Sequence, residues 1–560
     1  MNDERARVSV APSAATPATA AEAWWRGAVI YECHLPSFRD GNGDGVGDLD
    51  GLIASLDYLK STLGIDAVWT GPFYRSPLLD QGFDVSDYLD VEPVFGTLQT
   101  FDRLVSEAHG RNLKIIIDYI PNHTSSRHPW FLESRSSVTN AKRDWYVWRD
   151  PAPGGGLPNN WTSEAGGSVW EWDEPTGQYY LHSHLVEQPD LNWRNAEVRA
   201  ALFEVLRFWL DRDADGLRID VAHMLMKDPD FRDNPEAPDG AANPFDIQHP
   251  DFGTQLHLYD RRHPDTHAAL AEIRGVVDEY PGAVTIAEIE AMTWADWADY
   301  YGTALDGIHL PFPFRLIETP WRADLLREEL DGLYAALPDR AWPIMALGNH
   351  DRIRLATRLG PAQARVAAVL LLTLAASPCI LYGDELGLVD QPVPTKRQRD
   401  YFARAAGGVS RDPTRTPMPW NSEPNAGFSA ADAAALWLPV AHNAAEVNVD
   451  AQLSDPDSTL SLYRQLLRLR TSSPAVRYGD ITFLSAGRAH ESVLAYRRRH
   501  GGDCKVIVLN LTDAPAQLDV SMSGDIVVST ASRPGVPVGP HLRLSPNEAT
   551  VIDVWEGHTP

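Results

Sequence analysis

Two residues of opposite charge interrupt an otherwise apolar segment, GLRIDVAHML at 216–225. They are Arg218 and Asp220. Because side chains on a strand alternate between its faces, both point the same way, while Leu217 and Ile219 point the other way. A charge that is buried without a partner is strongly destabilising. The segment therefore predicts a strand whose polar face meets either a compensating partner or a site of chemistry.

Three further apolar segments carry polar residues near their ends. They are KIIIDYIPNH at 114–123, with Asp118, Asn122 and His123; TIAEIE at 285–290, with Glu288; and LGNHD at 347–351, with Asn349, His350 and Asp351. One such residue alone most often caps a helix or makes a satisfied buried hydrogen bond. Polar clusters at the same end of four strands would be neighbours in the fold, and they indicate a functional site.

Carboxylates and histidines in one cluster suit glycoside hydrolysis. In that chemistry one carboxylate is the nucleophile, one carboxylic acid donates a proton, and other polar groups hold the sugar hydroxyls. The alternative is a metallohydrolase, since Asp, Glu and His are also metal ligands. Arg218 would repel a cation and would keep Asp220 ionised, as a nucleophile requires. The first strand offers only His34. The pattern therefore favours the glycosidase.

The elements that must position these residues form a repeating pattern of short apolar runs and amphipathic segments. Eight strand-like runs occur, at 28–35, 65–72, 114–120, 216–224, 284–289, 306–312, 342–350 and 377–386. Segments with helical periodicity separate them. Eight such alternations predict an α/β fold, the parallel (β/α)8 TIM barrel, whose chemistry lies at the C-terminal ends of the strands. A doubly wound open sheet is the alternative.

Two segments depart from this repeat. A Trp-, Pro- and Gly-rich insertion after the third strand is too long for a simple loop and predicts a small subdomain. Near the C-terminus, short alternating segments separated by Gly, Pro and Asp predict an antiparallel β domain. The predicted division is a disordered leader at 1–23, a barrel at 24–123 and 194–477, an inserted subdomain B at 124–193, and a C-terminal β-sandwich at 478–560.

Composition limits the partners. The formal net charge of −28, from 49 basic and 77 acidic residues, argues against nucleic acid and anionic membranes, which both need a positive surface. No segment is long and apolar enough to span a bilayer, and the polar N-terminus lacks a signal-peptide pattern, which predicts a cytoplasmic protein. Cys33 and Cys379 fall in apolar runs and are expected to be buried thiols.

Nine motifs in family order then identify a resemblance. They are IYECHLPSFRDGNGDGVGDLDG, DQGFDVSDY, DYIPNH, EQPDLNW, GLRIDVAHML, TIAEIE, LGNHD, YGDELG and RDPTRTPMPW. The chain resembles the α-amylase superfamily, glycoside hydrolase family 13, in its α-glucosidase and oligo-1,6-glucosidase branch. This resemblance implies a retaining, exo-acting α-glucosidase that releases glucose from short maltose- and isomaltose-type substrates, with some glucosyl transfer, acting as a monomer or homodimer without an organic cofactor.

The resemblance also implies roles for the three acids. Asp220 would be the nucleophile that forms a β-glucosyl-enzyme intermediate. Glu288 would be the general acid/base, and Asp351 would bind the 2- and 3-hydroxyls of the distorted sugar. The residue that precedes the acid/base is usually Gly and is Ala287 here, and a second acid, Glu290, shares its strand face. In a retaining enzyme the carboxyls of Asp220 and Glu288 should lie about 5–5.5 Å apart.

Substrate-binding residues follow from the same motifs. His123 and His350 would hydrogen-bond hydroxyls of the ring, and Arg218 would orient the nucleophile. Asp80 and an arginine would hold the 4-hydroxyl end of the terminal glucose and close the site beyond one sugar. We assign that arginine to Arg415, with Arg411 as the alternative, and Phe83 stands where the family usually has a stacking Tyr.

The segment DGNGDGVGD at 40–48 predicts a cation site. Oxygen donors alternate with glycines, a pattern that suits Ca²⁺, with a metal-free Gly/Asp turn as the alternative. In relatives that share this sequence, Ca²⁺ is bound structurally; the equivalent ligands are the side chains of Asp40, Asn42, Asp44 and Asp48 and the carbonyl of Val46. Mg²⁺ is the alternative ion.

The sequence does not decide which glycosidic linkage is cleaved. Val221, which follows the nucleophile, goes with α-1,6 activity in the oligo-1,6-glucosidases that the chain resembles, but the longer DVAH form also resembles enzymes that act on maltose. Within the family the alternative is a glucosyl-transferring or isomerising enzyme that forms trehalose or isomerises sucrose. A catalytically inactive transporter subunit is disfavoured, because all three acids are present and a membrane span is missing.

Overall fold

A computed structural model describes residues 23–238, 251–406, 409–519 and 522–555. The leader predicted at 1–23 lies outside these residues except for Ala23. Within the described ranges, no helix is both long enough and apolar enough to cross a membrane.

Eight parallel strands form the central sheet. They are β1 (Ile30–Cys33), β2 (Ala67–Thr70), β3 (Lys114–Tyr119), β4 (Gly216–Ile219), β5 (Val284–Ile289), β6 (Leu310–Pro313), β7 (Ile344–Met345) and β8 (Ser377–Leu381). The order of neighbours is β6-β5-β4-β3-β2-β1-β8-β7. The two outer strands in that order, β6 and β7, lie against each other, which closes the ring. The predicted (β/α)8 barrel is confirmed.

The predicted fourth strand was too long at its C-terminal end. It was expected to continue to residue 224, but β4 ends at Ile219. Val221 has φ 35° and ψ 46°, and a 3-10 turn, Ala222–Met224, follows. A left-handed residue cannot continue the extended backbone, so the chain turns at the residue after Asp220.

Helices lie around the ring, in its loops and in the insertion. The longer ones are Leu98–His109, Ala196–Leu210, Asp265–Val277, Ala323–Ala336, Pro361–Thr373 and Thr459–Ser472, and the shorter ones are Leu35–Phe38, Leu49–Ala54, Pro129–Ser136, Trp294–Asp299, Arg315–Glu318, Leu355–Leu359, Tyr401–Ala406, Val449–Leu453 and Pro474–Tyr478. The helix after β2 shows why they form. Thr97 accepts from the backbone N of Thr100 at its start, and residues 101, 104, 105 and 108 bury one apolar face.

An insertion after β3 forms its own antiparallel sheet. Its strands are Trp148–Arg149, Gln178–Leu181 and Trp170–Asp173, in that order, and a two-stranded ribbon, Tyr74–Arg75 with Asp87–Val91, follows β2. Phe131 stacks on Trp148 with ring centroids 5.8 Å apart, and both rings pack into the core of the barrel. Trp161 and Trp170, with ring centroids 6.4 Å apart, belong to a small apolar cluster of the insertion that is separate from the barrel core.

The C-terminal segment forms a β domain. Its six-stranded sheet has the order Asp480–Phe483, Val493–His500, Asp503–Asn510, Ala549–Val554, Gly524–Ser529 and Pro537–Val538, and a second sheet pairs Ala516–Asp519 with His541–Leu544. Arg498, fully buried, joins this domain to the barrel by donating to the carbonyls of Thr373 and Gly479. The antiparallel β domain predicted for the C-terminus is confirmed.

Candidate active site

Arg218 is at the centre of a buried cluster at the C-terminal ends of β3, β4 and β5. Its Nη1 donates to Asp118 at 2.9 Å and to Asp220 at 2.7 Å, and its Nη2 donates to Glu288. The guanidinium lies 4.9 Å from the ring centroid of Trp69. One cation therefore brings together carboxylates from three strands, as the polar face of β4 predicted.

Asp220 follows β4 directly, and its backbone N donates to the carbonyl of Tyr119 on β3 at 2.8 Å. Burial raises the pKa of its carboxyl, Arg218 opposes this rise, and the negative charges of Glu288 and Asp118 add to it. Neighbouring carboxylates resist simultaneous ionisation, so the negative charges beside Asp220 favour the protonated form of its carboxyl. One ionised and one protonated carboxyl is the combination that a retaining glycosidase needs.

Glu288 and Glu290 share a strand face but have different partners. Glu290 lies just past β5, is 6% exposed, and contacts Arg261 at 3.0 Å, Arg262 at 3.3 Å and His223 at 3.3 Å. Burial favours its neutral form, but Arg261, the hydrogen bond with His223 and Arg262 outweigh burial and hold the pKa of Glu290 well below its usual range. A carboxylate that is held ionised cannot donate a proton, so the geometry favours Glu288 as the acid/base.

Asp351 follows β7 and is surrounded by cations. Its Oδ1 accepts from Arg411 at 3.0 Å and from Arg415 at 2.5 Å, and its Oδ2 lies 3.3 Å from Nε2 of His350. Burial alone raises the pKa, but His350, Arg411 and Arg415 outweigh burial and hold the pKa of Asp351 well below its usual range. This carboxylate is a fixed anion, suited to hold hydroxyls and a developing positive charge.

The arginine that contacts Asp80 is Arg411, and this corrects the assignment of that contact to Arg415. Arg411 donates through Nη2 to Asp80 at 2.8 Å and through Nε and Nη2 to Asp400 at 3.0 and 2.9 Å. Arg415 is four residues further on, 1% exposed, and its Nε donates to the carbonyl of His350 at 2.9 Å. Both arginines donate to Oδ1 of Asp351, but Arg411 also reaches Asp80, a difference that sequence alone does not specify.

His123 lies beside Asp80, and Gln188 connects them. Nε2 of Gln188 lies 3.1 Å from Oδ2 of Asp80 and 3.2 Å from Nε2 of His123. Burial, with His184 at a ring distance of 4.9 Å adding to its effect, lowers the pKa of His123 to about 3. His123 is therefore neutral and can both donate and accept hydrogen bonds. Gln188 was missed as a site residue, although it belongs to the motif EQPDLNW.

Phe83 forms an apolar floor beside His350. The two rings are stacked, with centroids 5.7 Å apart and an interplanar angle of 10°. Nδ1 of His350 lies 2.5 Å from Oε1 of Glu32 on β1. Sequence reasoning missed Glu32 as well; the only signal was one acid within the apolar run AVIYECHL.

The predicted cation loop is folded around its own side chains. Asp40 accepts from the backbone N of Asn42, Gly43 and Gly45, while Asn42 accepts from Asp44 and Asp44 from Val46. Gly45 has φ +95°, and a Cβ there would meet the carbonyl of Ala435. In these turns the side-chain oxygens of the loop point toward its own backbone N–H groups.

Asp48 at the end of this loop caps the helix Leu49–Ala54 by accepting from Gly51. Burial, and then the charges of Asp40 and Asp44, raise the pKa of Asp48 against its backbone hydrogen bonds. Crowded carboxylates of this kind suit a hard cation. In the described part of the chain, no group of three or more His, Cys, Asp or Glu side chains is arranged so that it could hold a metal ion, so a cation would have to draw the loop oxygens together.

Comparison with known proteins identifies the family. The α-amylase catalytic-domain model matches residues 33–479. A probable α-glucosidase of Rhizobium meliloti (strain 1021) is 40% identical over 89% of this chain and 91% of its own length. An oligo-1,6-glucosidase of Parageobacillus thermoglucosidasius is 34% identical over 88% of this chain and 91% of its own.

A solved structure agrees with this result. The crystal structure of an α-glucosyl transfer enzyme, XgtA, has a TM-score of 0.88 and 40% identity, covering 95% of this chain and 99% of that one. The chain belongs to the α-amylase family of glycoside hydrolases, family 13, in the branch that contains α-glucosidases and oligo-1,6-glucosidases.

Proposed function

We propose that the protein is a retaining, exo-acting α-glucosidase that releases terminal glucose from short maltose- or isomaltose-type oligosaccharides, with some glucosyl transfer. One observation carries this proposal: Arg218 bridges Asp220 and Glu288 beside the clamped carboxylate of Asp351. A nucleophile and an acid/base on one guanidinium suit double displacement, which needs the two carboxyls close together.

In the first step, an oxygen of the Asp220 carboxylate attacks C1 of the terminal glucose. The bond between C1 and the glycosidic oxygen breaks, and its electron pair goes to that oxygen, which takes the proton of Glu288. The products are a β-glucosyl ester on Asp220 and a free aglycone. Arg218 keeps the attacking carboxylate oriented through the 2.7 Å contact.

In the second step, Glu288, now a carboxylate, removes a proton from water while the water oxygen attacks C1. The ester bond breaks, Asp220 regains its carboxylate, and α-glucose leaves. A sugar hydroxyl in place of water gives transfer instead of hydrolysis. The α-configuration is retained because C1 is inverted twice.

Exo action is supported by the contact between Asp80 and Arg411. The pair closes the side of the site that also contains Asp351 and His123. In the proposed arrangement Asp351 and the two histidines bind hydroxyls of one glucose, and the ion pair holds its non-reducing end. Chain length beyond that glucose would then extend only on the leaving-group side.

Product analysis tests this function. Maltose, isomaltose, sucrose, trehalose and kojibiose are incubated separately, and products are followed by chromatography and by NMR of the anomeric proton. The anomer is read with p-nitrophenyl α-D-glucopyranoside, whose leaving group is not glucose, and release of glucose first as the α-anomer is expected. First release of the β-anomer would refute the retaining mechanism, and release of internal fragments from maltooligosaccharides would refute exo action.

Glucosyl transfer is the second candidate activity, because the structural relative at 40% identity is named as an α-glucosyl transfer enzyme. With excess maltose, a transferase forms one trisaccharide for each glucose that it releases as leaving group, whereas a hydrolase releases two glucose molecules per maltose without a trisaccharide. An isomerising enzyme converts sucrose or maltose to an isomer with little glucose. The same chromatograms separate these outcomes. Val221, which lies next to Asp220 and is 8% exposed, is proposed to influence which linkage is cleaved.

We also propose that the loop at 40–48 binds a structural Ca²⁺, with Mg²⁺ as the alternative. Asp40, Asn42, Asp44 and Asp48 would supply side-chain oxygens and Val46 its carbonyl. Bound there, the ion would neutralise the crowded carboxylates and hold the loop, and no catalytic step involves it. A cytoplasmic location and a monomeric or homodimeric state stay predictions.

A further inference from the structure

Glu32 is a buried acid that the proposed reaction does not use. It lies on β1 and is 2% exposed. The preceding residue, Tyr31, points to the other face of the strand, where its hydroxyl donates to Glu385 at 2.8 Å. Glu32 therefore faces the inside of the barrel, next to the floor of the site.

The partner of Glu32 is His350. Oε1 of Glu32 lies 2.5 Å from Nδ1 of His350 and accepts from its backbone N at 3.2 Å. Within the described residues, Oε2 of Glu32 has no hydrogen-bond partner. A buried carboxylate without a paired cation is strongly destabilised, so an adjacent imidazolium is the charge that compensates it.

Both nitrogens of His350 face carboxylates. Nδ1 meets Glu32, and Nε2 lies 3.3 Å from Oδ2 of Asp351. A neutral imidazole has only one N–H, whereas the imidazolium has two. The stacked ring of Phe83 fixes the orientation of His350. Because each ring nitrogen then faces a carboxylate oxygen, the charged imidazolium, with an N–H on both nitrogens, satisfies both acceptors.

Other charged and titratable groups surround His350. Burial opposes the imidazolium and Arg415 adds to that opposition, but the charges of Asp351 and Glu32 outweigh both and raise the pKa of His350. His34, stacked at 6.5 Å, stays neutral because burial lowers its pKa well below the usual range. The remaining facing group is Asp118 on β3, whose negative charge also favours the cation.

We propose that Glu32 is a positioning residue that holds His350 as an oriented imidazolium, so that the floor of the glucose site presents a charged hydrogen-bond donor. This inference rests on the proposed function. The sign of its pH dependence follows from the raised pKa. The imidazolium is present below that pKa and is lost as the pH rises through it, and without Glu32 this loss occurs at a lower pH.

The test compares Glu32→Gln with wild type over pH 5 to 9, using kcat/KM for p-nitrophenyl α-D-glucopyranoside. At the acidic end the variant should stay within about threefold of wild type, because His350 is protonated in both. Toward the basic end the ratio of variant to wild type should fall by about tenfold or more, as a charge-assisted hydrogen bond is lost. Glu385→Gln, the same substitution at the acid on the other face of β1, is the control. The ratio of its kcat/KM to that of wild type should not change with pH.

A second measurement avoids the chemistry of Glu288. Competitive inhibition by glucose reports binding in the glucose site without turnover, and inhibition of Glu32→Gln should weaken with rising pH in parallel with kcat/KM. If Glu32→Gln does not fold, Glu32→Asp takes its place; it keeps the charge but not the reach, and a smaller fall in the same direction is expected.

A ratio that stays constant with pH in an active enzyme would overturn this inference and assign Glu32 a purely structural role. A wild-type enzyme that releases no glucose from any α-glucoside would overturn the proposed function instead. The two failures are therefore distinct.

Discussion

Glu288 and Glu290 are two residues apart at the end of β5 and belong to separate charge networks. Glu288 contacts Arg218 and, through it, the carboxylate of Asp220, whereas Glu290 is held by arginines of the loop after β4. This difference favours Glu288 over Glu290 for the proton transfer in the proposed mechanism.

We expect Glu288→Gln to lower kcat by about 10²–10⁴-fold, because general acid/base catalysis contributes that much. Glu290→Gln is the matched control and should keep most of the activity. It should instead lower the free energy of unfolding by about 3 kcal/mol or more, because it removes the anion from a buried charge cluster. Steady-state kinetics measure the change in kcat, and thermal unfolding measures the change in stability. A larger loss of kcat in the Glu290 variant would reverse the assignment.

Asp220→Asn should remove turnover, by about 10⁴-fold or more, because an amide cannot form the glucosyl ester. Its folding should be retained, because the substitution removes one of several crowded negative charges around Arg218. Circular dichroism and the melting temperature verify the fold beside the kinetic assay. Normal activity in a folded variant would exclude Asp220 as the nucleophile.

The two arginines near Asp351 can be separated by a double-mutant cycle with Asp80→Asn. Arg411 donates to Asp80, so Arg411→Lys and Asp80→Asn should couple by about 1–3 kcal/mol in kcat/KM for maltose. Lys cannot reproduce the several directed contacts of a guanidinium. Arg415→Lys should couple less strongly to Asp80→Asn, because Arg415 is linked to Asp80 only through Asp351 and Arg411. Coupling through Arg415 instead would restore the assignment made from the sequence.

The acidic limb of the pH profile should depend on Asp118. The pKa of Asp220 is raised, first by burial and then by Glu288 and Asp118 against Arg218, so its ionised form is lost as the pH falls through that raised pKa. Asp118→Asn removes one of these charges and should move the acidic limb of kcat/KM to lower pH by about half a unit to one unit. A shift to higher pH would contradict this view of the cluster.

Calcium should stabilise the fold without entering the reaction. With Ca²⁺ at 100 times its dissociation constant, the folded state gains about 2.7 kcal/mol, which a melting-temperature series with Ca²⁺, Mg²⁺ or a chelator measures. Asp44→Asn should weaken this response, and Asp102→Asn, an exposed acid on a barrel helix, should leave it intact. Equal melting temperatures with Ca²⁺ and with chelator would refute the proposed ion site.

Much of this fold could be predicted because its signals are local. Eight apolar runs with helices between them specify a ring of strands, and the polar residues Asp118, Asp220, Glu288 and Asp351 were expected at one end of it. The part that could not be predicted depends on side-chain direction. Arg411 and Arg415 have the same residue type and differ only in how a turn aims them.

Single polar residues were harder still. Glu32 and Gln188 have no periodic pattern, and their importance depends on partners more than 60 residues away, His350 and His123. The end of β4 was missed for a similar reason, because the left-handed backbone of a β-branched residue, Val221, opposes its own local preference.

The buried guanidinium of Arg498 connects the C-terminal β domain to the backbone carbonyl of Thr373 in the catalytic barrel. Removing the β domain would break this buried contact and leave the carbonyl of Thr373 without its hydrogen-bond donor. The β domain therefore contributes to the stability of the barrel. A chain shortened at the boundary would lose its enzymatic activity together with the β domain.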